Sequence, residues 1–554
     1  MLSKLGCLLF VLSFGNSFCL SKDDLPEIDT PLGRVRGYWK TLDDITYAAF
    51  EGIRYAEPPV GDLRFEESQP IAAWSETWEA NALHLCPQAD LASLDISGEE
   101  DCLYINVYIP EGSVKNPKAL DVIVSLHGGG FMSGAGNITF NTFLEHDTVL
   151  VSFNYRLNIL GFLSTEDDVI PGNNGMKDQV LALKWVRDNI ASFGGNPHSV
   201  TIVGLSSGGA SVHHHYFSPL SKGLFVRGIS HSGTALAPWA IRRNPLQRAK
   251  KLGALVGCPD GSTEELKACL KQTPVHTLME QLTHFYTYQS GPLMPLTPFA
   301  PVVEKGSSNA FLDAEPYQLL KEGKVNDASW INTFTADDGL LPTGYFWNNL
   351  EEIDEEWGEI YPYLIDCNET LPVSNKEIVG KTILDHYLGS GEKINKENFK
   401  KLTQLFTDRF FAVPAEITAK MQANATKSPV YVYLFNYRDG ENKFAEFYSG
   451  TTEVDGVAHY DDAIYFYGTL RMHPYSEKDK RLISACHNML TSYISGGIPS
   501  FDGTDVWQPT GPEGLTYLLI NGPEDMELKK TEGLAPIDFW SQFGLDSWNM
   551  KTSF

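Results

Sequence analysis

The sequence predicts an α/β fold, a parallel or mixed sheet covered on both faces by helices, and three stretches carry that expectation. "ALDVIVSLHGGGF" holds a continuous apolar run from Val122 to Leu126 ending in glycines, and "DTVLVSFNYRL" holds a second such run. Apolar residues at successive rather than alternating positions mark strands buried on two faces. "QVLALKWVRDNIASFGGNP" sets Val180, Leu183, Trp185, Val186 and Ile190 at helical spacing and stops at Gly194 and Gly195. "SVTIVGLSSGGASVHHHYFS" then runs from Val200, Thr201, Ile202 and Val203 through a glycine turn into a helix-like stretch.

Strand, sharp turn and helix form the setting that a nucleophile elbow requires, with Ser206 at its tip. The tip forces strained backbone angles and brings helix close to strand, so side chains at Gly204 and Gly208 would clash. The free N–H groups and positive dipole end of the helix favour developing negative charge beside Ser206, which is expected to be exposed. Gly-x-Ser-x-Gly is also an ordinary turn, so the elbow needs company elsewhere in the chain. "HGGGF", residues 127 to 131, follows a strand, and its glycines let backbone N–H groups reach a ligand oxygen. Gly129 and Gly130, with the amide of Ser207, can form an oxyanion hole.

The chain has 14 histidines from which a base must come. "GVAHYDDAIYFYG" places His459 in a glycine-preceded loop ahead of a helix, well downstream of the serine. "INTFTADDGLLPT" offers Asp337 and Asp338 between them after a strand-like stretch, although Asp-Gly is equally a turn signal. The order Ser, Asp, His is that of a hydrolase triad. His213, His214 and His215 are consecutive, so their side chains fan around a helix and cannot share one metal, which wants i, i+4 spacing. Packing and hydrogen bonding are the expected roles of that triplet, and no metal or cofactor is expected.

Within the 554 residues no linker, charge block or repeat divides the chain, so one large domain is expected. A hydrophobic content of 42% with 12% aromatics supplies a large core, and a formal charge of −27 argues against nucleic acid as a partner. One Lys, an apolar run from Leu5 to Phe14 and small residues at Ser17 and Cys19 have the layout of a cleaved export signal, residues 1–20, leaving 21–554. No later run is long and apolar enough for a membrane span, and Asn137, Asn368 and Asn424 sit in glycosylation tripeptides. These features imply a secreted, extracellular product. Among the remaining cysteines, the local pairs Cys86–Cys102 and Cys258–Cys269 are the economical disulfides, each closing a loop worth roughly 3 kcal/mol. The fate of Cys367 and Cys486 stays open.

With these blocks in view the chain resembles the type-B carboxylesterase and cholinesterase family. "FEGIRYAEPPVGDLRF", "EDCLYINVYIP", "HGGGF", "NYRLNILGFLS", "GNNGMKDQVLALKWVRDNIASFGGNP", the elbow and "GVAHYDDAIYFYG" match family blocks in the family's order over most of the chain. The resemblance implies an α/β hydrolase fold with a large central mixed, mostly parallel sheet flanked by helices. It implies Ser206, Asp338 and His459 as triad, and Gly129, Gly130 and Ser207 as oxyanion donors. The two local disulfides match the family's, and Arg64 with Glu100, and Arg156 with Asp178, match its buried ion pairs. Trp239 in "SHSGTALAPWA" matches a residue lining the acyl pocket in relatives, the alternative being plain core packing.

Departures narrow the substrate. The family usually has Glu where this chain has Asp338, and reads Gly-Glu-Ser-Ala-Gly where this chain has Leu205 and Ser207. Leu205 removes a carboxylate that would attract a cation, and "CPQADLASLDISGEEDC" contains no Trp, Tyr or Phe to hold a quaternary ammonium by cation–π contact. Neutral carboxylic esters, cleaved through an acyl-enzyme, are the expected substrates. "SHSGTALAPWA" and "FTDRFFAVPAEITAK" are similar to secreted insect esterases, a group that includes juvenile hormone esterases and pheromone-degrading esterases. Juvenile hormone esterases typically read Gly-Gln-Ser-Ala-Gly at the elbow, which this chain does not. A non-catalytic binding protein on the same fold is the rival from another class, and it typically lacks the serine or the histidine.

Overall fold

The computed structural model describes residues 25–42, 45–90, 95–115, 117–137, 147–287, 294–440, 443–467, 475–501, 505–511 and 514–549. The expected signal at residues 1–20 lies outside them. Eleven strands build the central sheet: β1 (Tyr38–Leu42), β2 (Ile45–Arg54), β3 (Tyr104–Pro110), β4 (Leu120–Leu126), β5 (Thr148–Phe153), β6 (Gly195–Leu205), β7 (Arg227–His231), β8 (Ser329–Thr335), β9 (Val430–Phe435), β10 (Leu515–Gly522) and β11 (Asp525–Thr531). Their spatial order is β11-β10-β9-β8-β7-β6-β4-β5-β3-β2-β1. Neighbours from β10 through to β5 run parallel, and antiparallel strands flank them on either side. This is the mixed, mostly parallel sheet the sequence implied. Strands β3, β5, β8 and the sheet-paired part of β6 are buried at nearly every position because helices cover both faces.

The order reverses direction between β4 and β6: the chain goes outward from β4 to β5, then crosses back to β6 and continues the other way. Crevices open at the carboxyl ends of strands at such a switch point, and both glycine-rich segments lie there, "HGGGF" after β4 and the elbow after β6. Helix α1 spans Asn174–Asn189 and continues as a 3₁₀ turn to Phe193, and α2 spans Ser207–Phe217 directly after Ser206. Helices α3 (Phe399–Thr407) and α4 (Val413–Ala425) are joined by a π-helical turn, Asp408–Ala412, and α5 (Asp461–Tyr467) comes after the His459 loop.

Both local disulfides are formed, Cys86–Cys102 and Cys258–Cys269, while Cys367 and Cys486 are buried free thiols. Arg64 grips Glu100 through Nε and Nη2, both at 2.6 Å, and donates to the Thr273 carbonyl, tying the first disulfide loop to the region of the second. Arg156 grips Asp178 on α1 at 2.8 and 2.7 Å, with both side chains buried. The three consecutive histidines of α2 point three ways. His213 stacks on Trp330 and bonds Gln422, His214 bonds the Ala240 carbonyl, and His215 bridges Ser221 and Gln179. No helix among the described residues is long and apolar enough to cross a membrane.

Candidate active site

Ser206 ends the β6 strand with φ 60° and ψ −125°, a backbone conformation that non-glycine residues rarely hold. Two hydrogen bonds and two close glycine approaches impose it. Its N–H donates to the carbonyl of His231 at the end of β7 (2.8 Å), and its own carbonyl accepts the N–H of Ala210 in the first turn of α2 (2.9 Å). A side chain on Gly204 would land on the backbone of Gly208, and one on Gly208 would land on the Leu126 carbonyl. The elbow thus needs both glycines, as its spacing implied.

Ser206 is half-buried rather than exposed. The "HGGGF" loop covers it: a Cβ built on Gly128 would stand 3.3 Å from the Ser206 Cβ. Gly129 and Gly130 hold φ of 104° and 63°, the left-handed region that lets this loop turn toward the serine. His127, at its start, stacks on Tyr155 with ring centroids 4.2 Å apart and accepts that tyrosine's hydroxyl on its carbonyl. Burial pushes the His127 imidazole down to about 4, so it stays neutral. Ser207 opens α2, fully buried, placing its amide in the first helical turn beside the loop.

Asp338 lies just past β8 and is fully buried, and its Oδ1 lies 2.8 Å from Nδ1 of His459. Its Oδ2 accepts the Ser232 hydroxyl at 2.9 Å and the Thr335 N–H at 2.8 Å. With Oδ1 facing the imidazole and Oδ2 filled, the carboxylate fixes the tautomer that carries a proton on Nδ1 and leaves Nε2 free to accept. That Nε2 is buried with no hydrogen-bond partner among the described residues. Asp337 faces elsewhere: its Oδ2 accepts the Val457 N–H at 2.9 Å and pairs with Arg438. Asp461 accepts the Ala458 N–H at 2.6 Å and the Phe444 N–H at 3.3 Å. The two aspartates therefore clamp the backbone that leads into His459. Burial raises the Asp461 carboxyl well above its ordinary range, against the pull of those backbone donors.

Trp239 is buried and donates from Nε1 to the Phe410 carbonyl at 3.2 Å, in the π-helical turn. The next residue, Phe411, packs on Trp239 at 6.2 Å between centroids and on His459 at 5.0 Å. Both Phe410 and Phe411 belong to the π-helical turn, which presents the Phe410 carbonyl to Trp239 and the Phe411 ring to the histidine. Ser232, Thr335, Asp461 and Phe411 lie within stretches already singled out in the sequence, but the sequence assigns none of them a role. Asn368 and Asn424 are exposed and Asn137 is half-buried.

A serine at a strained strand-to-helix turn beside a glycine loop, at the switch point of a mostly parallel sheet, with a buried Asp–His pair presented past later strands of that sheet, defines an α/β hydrolase. The chain belongs to the carboxylesterase family, whose model matches residues 24–540. It is a carboxylic ester hydrolase. It is 38% identical to venom carboxylesterase-6 of Apis mellifera over 97% of each chain, and 37% identical to a carboxylic ester hydrolase of Bombus ignitus over 96% of each. Esterase FE4 of Myzus persicae is 34% identical over 96% of each chain. The fold is similar to that of juvenile hormone esterase from Manduca sexta, solved with OTFP covalently attached. That likeness has a TM-score of 0.81 and 28% identity, over 94% of this chain and 99% of the other.

Proposed function

We propose that Ser206, His459 and Asp338 hydrolyse neutral carboxylic esters through an acyl-enzyme. The observation that carries this reading is the buried 2.8 Å contact between His459 and Asp338, which leaves Nε2 as an unpartnered acceptor, with Asp338 tied through Ser232 to the neighbouring His231 whose carbonyl holds the N–H of the strained serine. Nε2 takes the Ser206 proton as the oxygen attacks the ester carbonyl, and Asp338 steadies the imidazolium that forms. The N–H groups of Gly129, Gly130 and Ser207 receive the oxyanion. The imidazolium then protonates the leaving alcohol, and the same nitrogen activates water to release the acid. Trp239, with Phe411, walls the acyl side. Leu205 in place of a carboxylate supports a neutral substrate over a cationic one.

The test is turnover of a short-chain aryl ester, a long-chain acetate and a juvenile hormone, beside Ser206→Ala. Activity on the aryl ester, absent from Ser206→Ala together with labelling by an organophosphate, supports the reading. Labelling that persists in Ser206→Ala moves the nucleophile elsewhere. A sharp preference for juvenile hormone or the long-chain acetate would name a signalling ester as substrate. We read residues 1–20 as an export signal and 21–554 as one secreted hydrolase domain, with Asn137, Asn368 and Asn424 as glycan sites. A mass shift on glycosidase treatment of the secreted protein checks this.

A further inference from the structure

His231 and Ser232, at the end of β7, touch every segment of the triad. The His231 carbonyl accepts the Ser206 N–H, and the Ser232 hydroxyl reaches Asp338. The His231 imidazole is the third arm. Its Nδ1 lies 2.9 Å from Oδ2 of Asp462, three residues beyond His459 at the start of α5, and both side chains are fully buried. The same carboxylate oxygen accepts the Tyr433 hydroxyl at 2.8 Å, and the Tyr467 hydroxyl sits against His231 Nε2.

Nδ1–H of His231 and the Tyr433 hydroxyl donate to an ionised Asp462, the Tyr433 hydroxyl also lying 2.8 Å from Nδ1, while the Tyr467 hydroxyl pairs with Nε2. Burial works against that charge, but the donors, His231 first among them, hold the Asp462 carboxyl below its ordinary range. With both ring nitrogens occupied, His231 has no part in proton transfer to substrate. Its bonds act on geometry instead.

That geometry has a use. Ser206 is fixed by the sheet, whereas His459 sits in a loop well past the end of β9, and its Nε2 makes no hydrogen bond among the described residues that would hold it in register with the serine. The register must come from contacts behind the two residues. We propose that His231 is a positioning residue for ester hydrolysis: bonded to Ser206 through its backbone and to the His459 segment through Asp462, it sets the offset between nucleophile and base. The inference rests on the triad reading above.

Steady-state kinetics on an aryl acetate, with functional sites counted by organophosphate titration, test it in His231→Leu, His231→Gln and Tyr467→Phe. His231→Leu is expected to lower kcat per titrated site roughly ten- to hundredfold with KM within about twofold, the signature of lost alignment. His231→Gln, whose amide can donate to Asp462, recovers most of that loss. A kcat within about twofold of the parent in His231→Leu, or a loss that glutamine does not rescue, overturns the proposal. If His231→Leu yields no titratable sites, Tyr467→Phe decides by removing a single hydroxyl: a fall of about threefold in kcat supports the role, and an unchanged kcat overturns it. Ester turnover in Ser206→Ala would bring down the triad reading itself. An inert Ser206→Ala beside a fully active His231→Leu removes the positioning role alone.

Discussion

Ser232 donates its hydroxyl to the one oxygen of Asp338 that His459 does not use, at 2.9 Å, across 106 positions of chain. An aspartate reaches less far than the glutamate usual at this place, and the bond holds its second oxygen while the first faces the imidazole. Ser232→Ala should lower kcat/KM about tenfold, near 1.4 kcal/mol of transition-state stabilisation. Asp338→Asn, which presents the wrong hydrogen-bonding edge to Nδ1, should cost roughly 10⁴-fold. Equal rates in the two variants would remove the distinction between holding the carboxylate and being it.

Trp239 is the residue to change for acyl length. Trp239→Leu frees space beside Phe411, and a methylene or two in an apolar pocket is worth roughly 10- to 200-fold in discrimination. The ratio of kcat/KM for hexanoate over acetate aryl esters should rise by about tenfold. A uniform fall across the series would make Trp239 a core residue and nothing more.

Arg156 and Asp178 form a buried charge pair whose removal from one side leaves an uncompensated ion. Arg156→Leu should destabilise by about 3–5 kcal/mol, read from the urea midpoint, because Asp178 stays buried without its partner. Arg156→Leu combined with Asp178→Leu should recover most of it. A double variant no better than the single one would show that packing, rather than charge, is what the pair supplies.

Acid should unfold the protein through its buried imidazoles. Burial pushes His213 and His215 down to about 3 and His214 to about 4, from an ordinary value near 6.5. Their folded-state values lie below the unfolded one, so the unfolded chain binds the extra protons, and stability present above pH 6.5 is lost as pH falls toward 3. Each pH unit in that window costs about 1.4 kcal/mol per histidine. Urea midpoints at pH 7, 6 and 5 check it, and His215→Gln should flatten the slope by one histidine's share. An unchanged slope in that variant would point to other groups.

Patterns encoded locally were the legible ones. The elbow glycines and the apolar strands are short-range features, and the structure carries each in its expected setting, while the order Ser, Asp, His is a linear one read directly from the chain. Asp337 and Asp338 are adjacent and alike in sequence; only the side-chain direction after β8 separates the clamp of the loop from the partner of His459. Ser232 was silent because its partner lies in another strand's loop, and Phe411 because a π turn leaves no pattern that differs from ordinary helix. The exposure expected of Ser206 failed for the same reason. Its cover is the Gly128 backbone, brought by the β4–β6 pairing and not by any neighbour in the chain.

The segments that present Ser206, Asp338 and His459 lie far apart along the chain, with β9 and the His459 loop drawn from its last quarter. On the proposed triad, a growing polypeptide therefore carries the serine for hundreds of residues before the base that would activate it exists. With the proposed triad, reactivity arrives with completion of the sheet, and a chain cut short before His459 is expected to be chemically silent rather than half active.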